Sequence, residues 1–153
     1  MIEIVARSDT MGRLLRKMRA TAQSDKPTLL LGASGSGRSF LGGRIHEMSP
    51  RRDKPLVEIS CMEPLFSEPL IACAERARGG TLLVTDLDQL DQHSQRDLRC
   101  LLAKCAQWER PPRLICTALP DLEELAKKRL FMRALYDQVA VLRHQIPSLR
   151  ERL

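Results

Sequence analysis

A short apolar run closes directly on a glycine-rich segment, Leu29-Leu30-Leu31-Gly32-Ala33-Ser34-Gly35-Ser36-Gly37-Arg38-Ser39, and this junction constrains what the rest of the chain can fold into. Three glycines in six residues allow the backbone to curl so that several N–H groups face one point. A helix starting after the curl adds the positive end of its dipole to the same point. Strand, curled loop and helix together make an anion site, and the spacing fits the phosphate-binding pattern G-x-x-x-x-G-K-[ST] with one change. Arg38 stands where the lysine belongs. It keeps the positive charge but is longer, planar and forked, unlike the compact ammonium that normally reaches the outer phosphates. The candidate phosphate-binding residues are therefore Gly32, Ala33, Ser34, Gly35, Ser36, Gly37, Arg38 and Ser39.

The remaining pattern alternates apolar runs with helical stretches. Met11, Leu14, Leu15 and Met18 recur at i, i+3, i+4 and i+7, predicting an amphipathic helix that Ser8 can cap. Strands are predicted over Thr28 to Leu31, Leu56 to Ile59, Thr81 to Val84, Arg113 to Thr117 and Val139 to Ile146. Helices are predicted over residues 38–48, Glu68 to Arg78, Asp91 to Trp108, Asp121 to Lys128 and Phe131 to Gln138. The long helix carries Leu98, Leu101, Leu102 and Cys105 as its inner stripe. Alternation of this kind implies a single α/β domain over residues 1–153, with a mostly parallel sheet covered on both faces.

Composition narrows the function classes. No apolar run approaches a membrane span, and the N-terminus lacks the basic-then-apolar order of a signal peptide, so a cytoplasmic protein is expected. Five cysteines at irregular spacing read as small core residues rather than disulfides, and the scattered His46, His93 and His144 predict no metal site. Residues 1–55 hold 11 Lys or Arg against 5 Asp or Glu, so the first third is basic. That balance favours phosphates or a solvated face, but with 3% aromatic residues there is no platform for stacking single-stranded bases. Zinc spacing, an aromatic RNA signature and a helix-turn-helix are all missing, so DNA binding is not expected of this domain.

Several segments together resemble the sigma-54 interaction domain, the AAA+ ATPase module of bacterial enhancer-binding transcription activators. The loop Gly32 to Ser39 is similar to that family's G-E-S-G-T-G-K-E. Ile45-His46-Glu47-Met48-Ser49-Pro50-Arg51 resembles I-H-x-x-S-x-R, and Val57 to Cys61 resembles F-V-x-x-N-C. Ala77-Arg78-Gly79-Gly80-Thr81-Leu82-Leu83 is similar to A-x-G-G-T-L-F, and Ile146 to Arg152 to L-P-P-L-R-E-R. The resemblance implies a P-loop fold of AAA+ type. The sequence stops soon after this last segment, so the family's helical lid is expected to be absent.

At the positions that carry chemistry in the family, the sequence departs from the pattern. The family's L-F-L-D-E reads Leu82-Leu83-Val84-Thr85-Asp86, so Thr85 takes the place of the magnesium-anchoring aspartate and Asp86 that of the water-orienting glutamate. A one-residue register shift bringing Asp86 into use would also turn it to the other strand face. Leu119 stands at the sensor asparagine. Met132 and Gln138 stand at the arginines that act on a neighbour's nucleotide, and Arg133 is one place off. Residues 61–79 lack the G-A-F-T-G-A loop that touches sigma-54, so that contact is not expected. The resemblance therefore implies a non-hydrolysing regulatory or interaction module of bacterial transcription control, with no catalytic residues. ATP would bind weakly at most, through the loop and Asp86, and Mg2+ is doubtful. Partners would be other transcription-regulatory proteins or further copies of the chain. The alternative is a fragment of an ATP-binding sigma-54-dependent activator with atypical ATPase activity, Arg38 holding phosphate and Asp86 metal.

Overall fold

A computed structural model of the chain describes residues 8–62 and 69–147, with the side chains of residues 8–11 left out. The elements follow the predicted alternation: α1 (Ser8–Ala22), β1 (Thr28–Leu31), α2 (Arg38–Met48), β2 (Leu56–Ser60), α3 (Leu70–Arg76), β3 (Thr81–Thr85), a 3₁₀ turn (Leu87–Gln89), α4 (Gln92–Cys105), β4 (Arg113–Ala118), α5 (Leu122–Lys127), α6 (Arg133–Val139) and β5 (Leu142–Gln145). All five strands are parallel, in the order β2-β3-β4-β1-β5. β1 is next to the last position, flanked by β4 and β5, so the glycine loop leaves the sheet between two neighbouring strand ends.

Strand alternation sorts the core into two layers. Leu29, Leu31, Leu82, Val84, Leu114 and Cys116 face α3, α4, α5 and α6, while Leu30, Leu83 and Ile115 face α1 and α2. The three central strands are buried along their whole length, as a parallel sheet covered on both faces requires. The predicted stripe of α4 is buried in full. The stripe of α1 needs correction. Leu14 and Met18 are buried and Ala22 continues the line, but Leu15 is 37% exposed. Its position lies between the sheet-facing and outward sides of the helix. The side chain of Ser8, and with it the expected cap, lies outside the described residues.

Helix ends agree with local chemistry. The Asp91 carboxylate accepts from the Ser94 N–H at 2.8 Å and caps α4, and this bond holds its pKa below the usual carboxylate value. Gly79 takes a left-handed φ of 75° after α3. Gly80 lies against the Pro55 carbonyl oxygen so closely that no β-carbon fits. Four cysteines are buried, as expected, but Cys100 is exposed on α4, and none forms a disulfide. Among the described residues no helix is long and apolar enough to cross a membrane.

Candidate functional site

The loop after β1 has the geometry its glycines predict. The Gly32 N–H bonds the Ala118 carbonyl and so continues the sheet one residue past β1, after which the chain turns away. Gly35 and Gly37 sit at φ 78° and 86°, where a side chain is strained. Gly32 is needed for a different reason: a β-carbon there would lie 2.6 Å from Ser36 Oγ and within 3.3 Å of Arg38 and Ile146. Leu41 N–H bonds the Gly37 carbonyl and starts the first turn of α2. Ala33, Ser34, Gly35 and Ser39 are exposed on the outer side of the curl, and Ser36 is buried inside it.

Arg38 does not extend into solvent. It is 8% exposed and folds back across the loop. Nη1 donates to the Gly32 carbonyl at 2.8 Å, and Nη2 donates to Asp86 Oδ1 at 2.7 Å. The second contact is a charge-assisted bond with a short N···O distance. The fork of the guanidinium allows both bonds at once, and a lysine has no such geometry.

Asp86 reaches the loop by a route that strand alternation does not describe. β3 ends at Thr85, and Asp86 adopts a left-handed backbone with φ 64° and ψ 51°. Its N–H donates to Thr117 Oγ1 at 3.0 Å, which helps to fix this conformation. The carboxylate thus comes to Arg38 from a turn beyond the strand, rather than by a shift of register. Thr85 is buried, and its hydroxyl donates to the Ile59 carbonyl at 3.5 Å, a long bond directed at β2. Thr117, which the sequence reading did not single out, holds the arrangement. Its hint was a polar residue directly after the apolar run Leu114-Ile115-Cys116 of a central strand.

The other positions singled out do other work. The Leu119 N–H donates to Asp88 Oδ1 at 3.0 Å. Arg133 lies on the surface, pairing with Asp137 at 3.2 Å and lying over the Tyr136 ring. The Met132 N–H bonds Gln95 Oε1, and Gln138 is half-buried on α6. Cys61, bonded through its N–H to Thr85, has its thiol pushed up to about 12 by burial and by Asp86 and Asp88. A thiol so protonated is not a nucleophile.

Two segments carrying the resemblance meet at the opposite end of the sheet. His46 Nε2 donates to the Lys54 carbonyl, a pure acceptor, so Nδ1 accepts from Thr81 Oγ1 at 2.7 Å. Burial, as the largest cause, lowers the His46 pKa and keeps the ring neutral. Ser49 bonds the His46 carbonyl, and Arg51 Nη1 donates to the carbonyls of Gly80 and Pro111. The I-H-x-x-S-x-R and G-G-T-L stretches are therefore structural partners that seat the start of β3. The segments 63–68 and 148–153, which hold part of the missing-loop region and most of the closing L-P-P-L-R-E-R likeness, lie outside the described residues.

Gly35 and Gly37 leave the backbone curled. The carboxylate that reaches this loop, Asp86, is paired with Arg38, and Thr85 brings no charge of the kind a magnesium ion takes as ligand.

Comparison with known proteins agrees with the geometry. The family model of the sigma-54 interaction domain matches residues 5–149. The Nif-specific regulatory protein of Sinorhizobium fredii is 31% identical over 97% of this chain and 30% of its own length. The transcriptional regulatory protein GlrR of Escherichia coli is 30% identical over 97% of this chain and 39% of its own. The chain thus spans about a third of the length of the curated relatives it matches. Both alignments run to 176 or 177 positions for a chain of 153 residues, so these relatives hold segments that this chain lacks. Among solved structures, the P-loop NTPase domain of an Escherichia coli sigma-54 activator matches with TM-score 0.68 and 25% identity, over 93% of this chain and 97% of that one. NtrX of Brucella abortus in complex with ATP matches with TM-score 0.82 at 21% identity, over 94% of this chain and 38% of that one, a likeness of fold. A match to the family model over nearly the whole chain, together with the strand order and the curled loop after β1, places this protein in the family of sigma-54 interaction domains of bacterial transcriptional activators.

Proposed function

We propose that this domain is a non-hydrolysing member of the family that serves bacterial transcription regulation as a regulatory or protein-interaction module, with weak or no nucleotide binding. The observation that carries this reading is the Arg38–Asp86 pair. It ties the cation of the loop to the carboxylate nearest the loop, so that each neutralises the other where phosphoryl transfer needs one on the phosphate and the other near metal or water. Thr85, Leu119, Met132 and Gln138 at the remaining chemical positions support the same reading, because phosphoryl transfer rests on placed charge and none of the four supplies it. The single domain spans residues 1–153, and its partners are other regulatory proteins or further copies of the chain.

The loop backbone still offers an anion cradle, and NtrX of the same fold is known in complex with ATP and with ADP. Phosphate reaches that cradle at the cost of Arg38 leaving Asp86, which keeps affinity low. A calorimetric titration with ATP, with and without magnesium, tests the reading, alongside a phosphate-release assay. Binding weaker than about 0.1 mM that is indifferent to magnesium, with no release, is expected, a limit of about 5.5 kcal/mol on the binding free energy. Magnesium-dependent binding with turnover would refute it and favour the atypical ATPase. Arg38→Lys should not restore turnover, since the acidic pair is still missing.

A further inference from the structure

Every charged side chain described on α1 is cationic and exposed. Leu14, Met18, Thr21 and Ala22 are buried against the sheet, while Arg13, Arg16, Lys17 and Arg19 are exposed. Arg13, Arg16 and Lys17 stand at i, i+3 and i+4 and share one side, with Arg19 beside them. None of the four lies within ion-pairing distance of a carboxylate among the described residues. Arg44, Arg51, Arg133 and Arg143 each have such a partner. Like charges at these spacings oppose the helix by a few tenths of a kcal/mol per pair, a strain that a polyanion would relieve. The four Cα positions span about 9 Å of helix axis, and with their long side chains they cover a strip of several phosphates.

The chemistry of the face selects its partner. Among the described residues the large apolar side chain exposed on α1 is Leu15, and the helix sequence holds no aromatic residue. A protein interface needs an apolar or aromatic centre, which is missing here. Single strands need stacking rings, also missing. The inner side of α1 is held by α2 and by the sheet beneath it, so the arginines meet a phosphate backbone rather than base edges.

We propose that the outer face of α1 binds the phosphate backbone of duplex nucleic acid, through Arg13, Arg16, Lys17 and Arg19, without reading sequence. The absence of base-reading motifs led to an expectation of no DNA binding, but a backbone contact requires none. The four cations are not among the residues assigned to the loop, and the proposal does not depend on the nucleotide reading.

The test is fluorescence anisotropy of a labelled 20-base-pair DNA duplex titrated with the whole chain between 50 and 200 mM salt. With about three phosphates neutralised, log K against log salt has a slope of about −2.7, so affinity falls about 40-fold over that range. The variant with Arg13, Arg16, Lys17 and Arg19 all changed to Gln should lose at least about tenfold at 50 mM salt and show a nearly flat salt response. The control changes Arg96, Arg99, Lys104 and Lys128 to Gln. It removes the same charge from exposed positions on the layer across the sheet, and should bind within about twofold of the native chain. Melting temperatures verify that both variants fold. The proposal is overturned if the native chain shows no binding at about 100 μM protein in 50 mM salt, if the α1 variant binds as the native chain does, or if both variants lose affinity equally.

Discussion

Asp86→Ala removes the carboxylate that faces Arg38 Nη2 at 2.7 Å and leaves the guanidinium with the Gly32 carbonyl. The side chains of the pair are 9% and 24% exposed, so this is neither a surface ion pair nor a fully dry one. Exposed pairs contribute at most about 1 kcal/mol, and breaking a fully buried pair costs about 3–5 kcal/mol. The geometry here places the loss between these limits, at about 2 kcal/mol. For a chain of 153 residues that corresponds to a fall in Tm of about 4–8 °C. Arg38→Met should cost a similar amount, and the double variant only slightly more, because the second change removes a charge already deprived of its partner. Urea unfolding of the four proteins closes a double-mutant cycle with an expected coupling of about 1.5 kcal/mol. A coupling below about 0.5 kcal/mol would show that the two groups do not interact appreciably in solution, and the argument for a self-neutralised loop would lose its basis.

Other expectations follow from the same geometry. Gly80→Ala drives a β-carbon into the Pro55 carbonyl and should destabilise by at least about 2 kcal/mol in urea unfolding, whereas Gly35→Asn, at a left-handed position with open space, should cost under about 1 kcal/mol. The pKa values of His46 and His144 are both lowered on folding, chiefly by burial. The unfolded chain therefore binds protons more readily just below the ordinary histidine value. Stability should be full above about pH 6.5 and fall as pH drops through that value toward the lower folded pKa values, a slope that His46→Gln reduces. With a thiol reagent, the native protein should show one fast-reacting cysteine, Cys100, and five after denaturation; early reaction of Cys61 or Cys116, both buried with raised pKa values, would contradict the core described.

Much of this architecture was legible in the chain because its signals are local. β1 to β4 are each centred on a short apolar run, and glycines at fixed spacing allow little other than a curled loop at Gly32 to Ser39. The last strand was placed too early: Val139 ends α6, and β5 is the polar edge strand Leu142–Gln145. Arg38, Thr85 and Asp86 could be recognised as departures by position alone. Which residues face one another was not legible, because contact across parallel strands depends on crossovers that bring distant segments together. The left-handed Asp86, its N–H held by Thr117 from β4, carries the carboxylate to Arg38 from 48 residues away in sequence. The link from His46 to Thr81 and from Arg51 to Gly80 likewise shows the purpose of two motifs only once β3 lies beside the end of α2. For α1, the sequence dictated an amphipathic helix. Leu15 turned out to lie at the edge of the buried side, and the four cations to have no carboxylate in reach among the described residues, because the docking angle of the helix decides this and periodicity does not. Local chemistry determined the elements and the loop. Tertiary packing decided that the cation of that loop is spent on a carboxylate of the same chain.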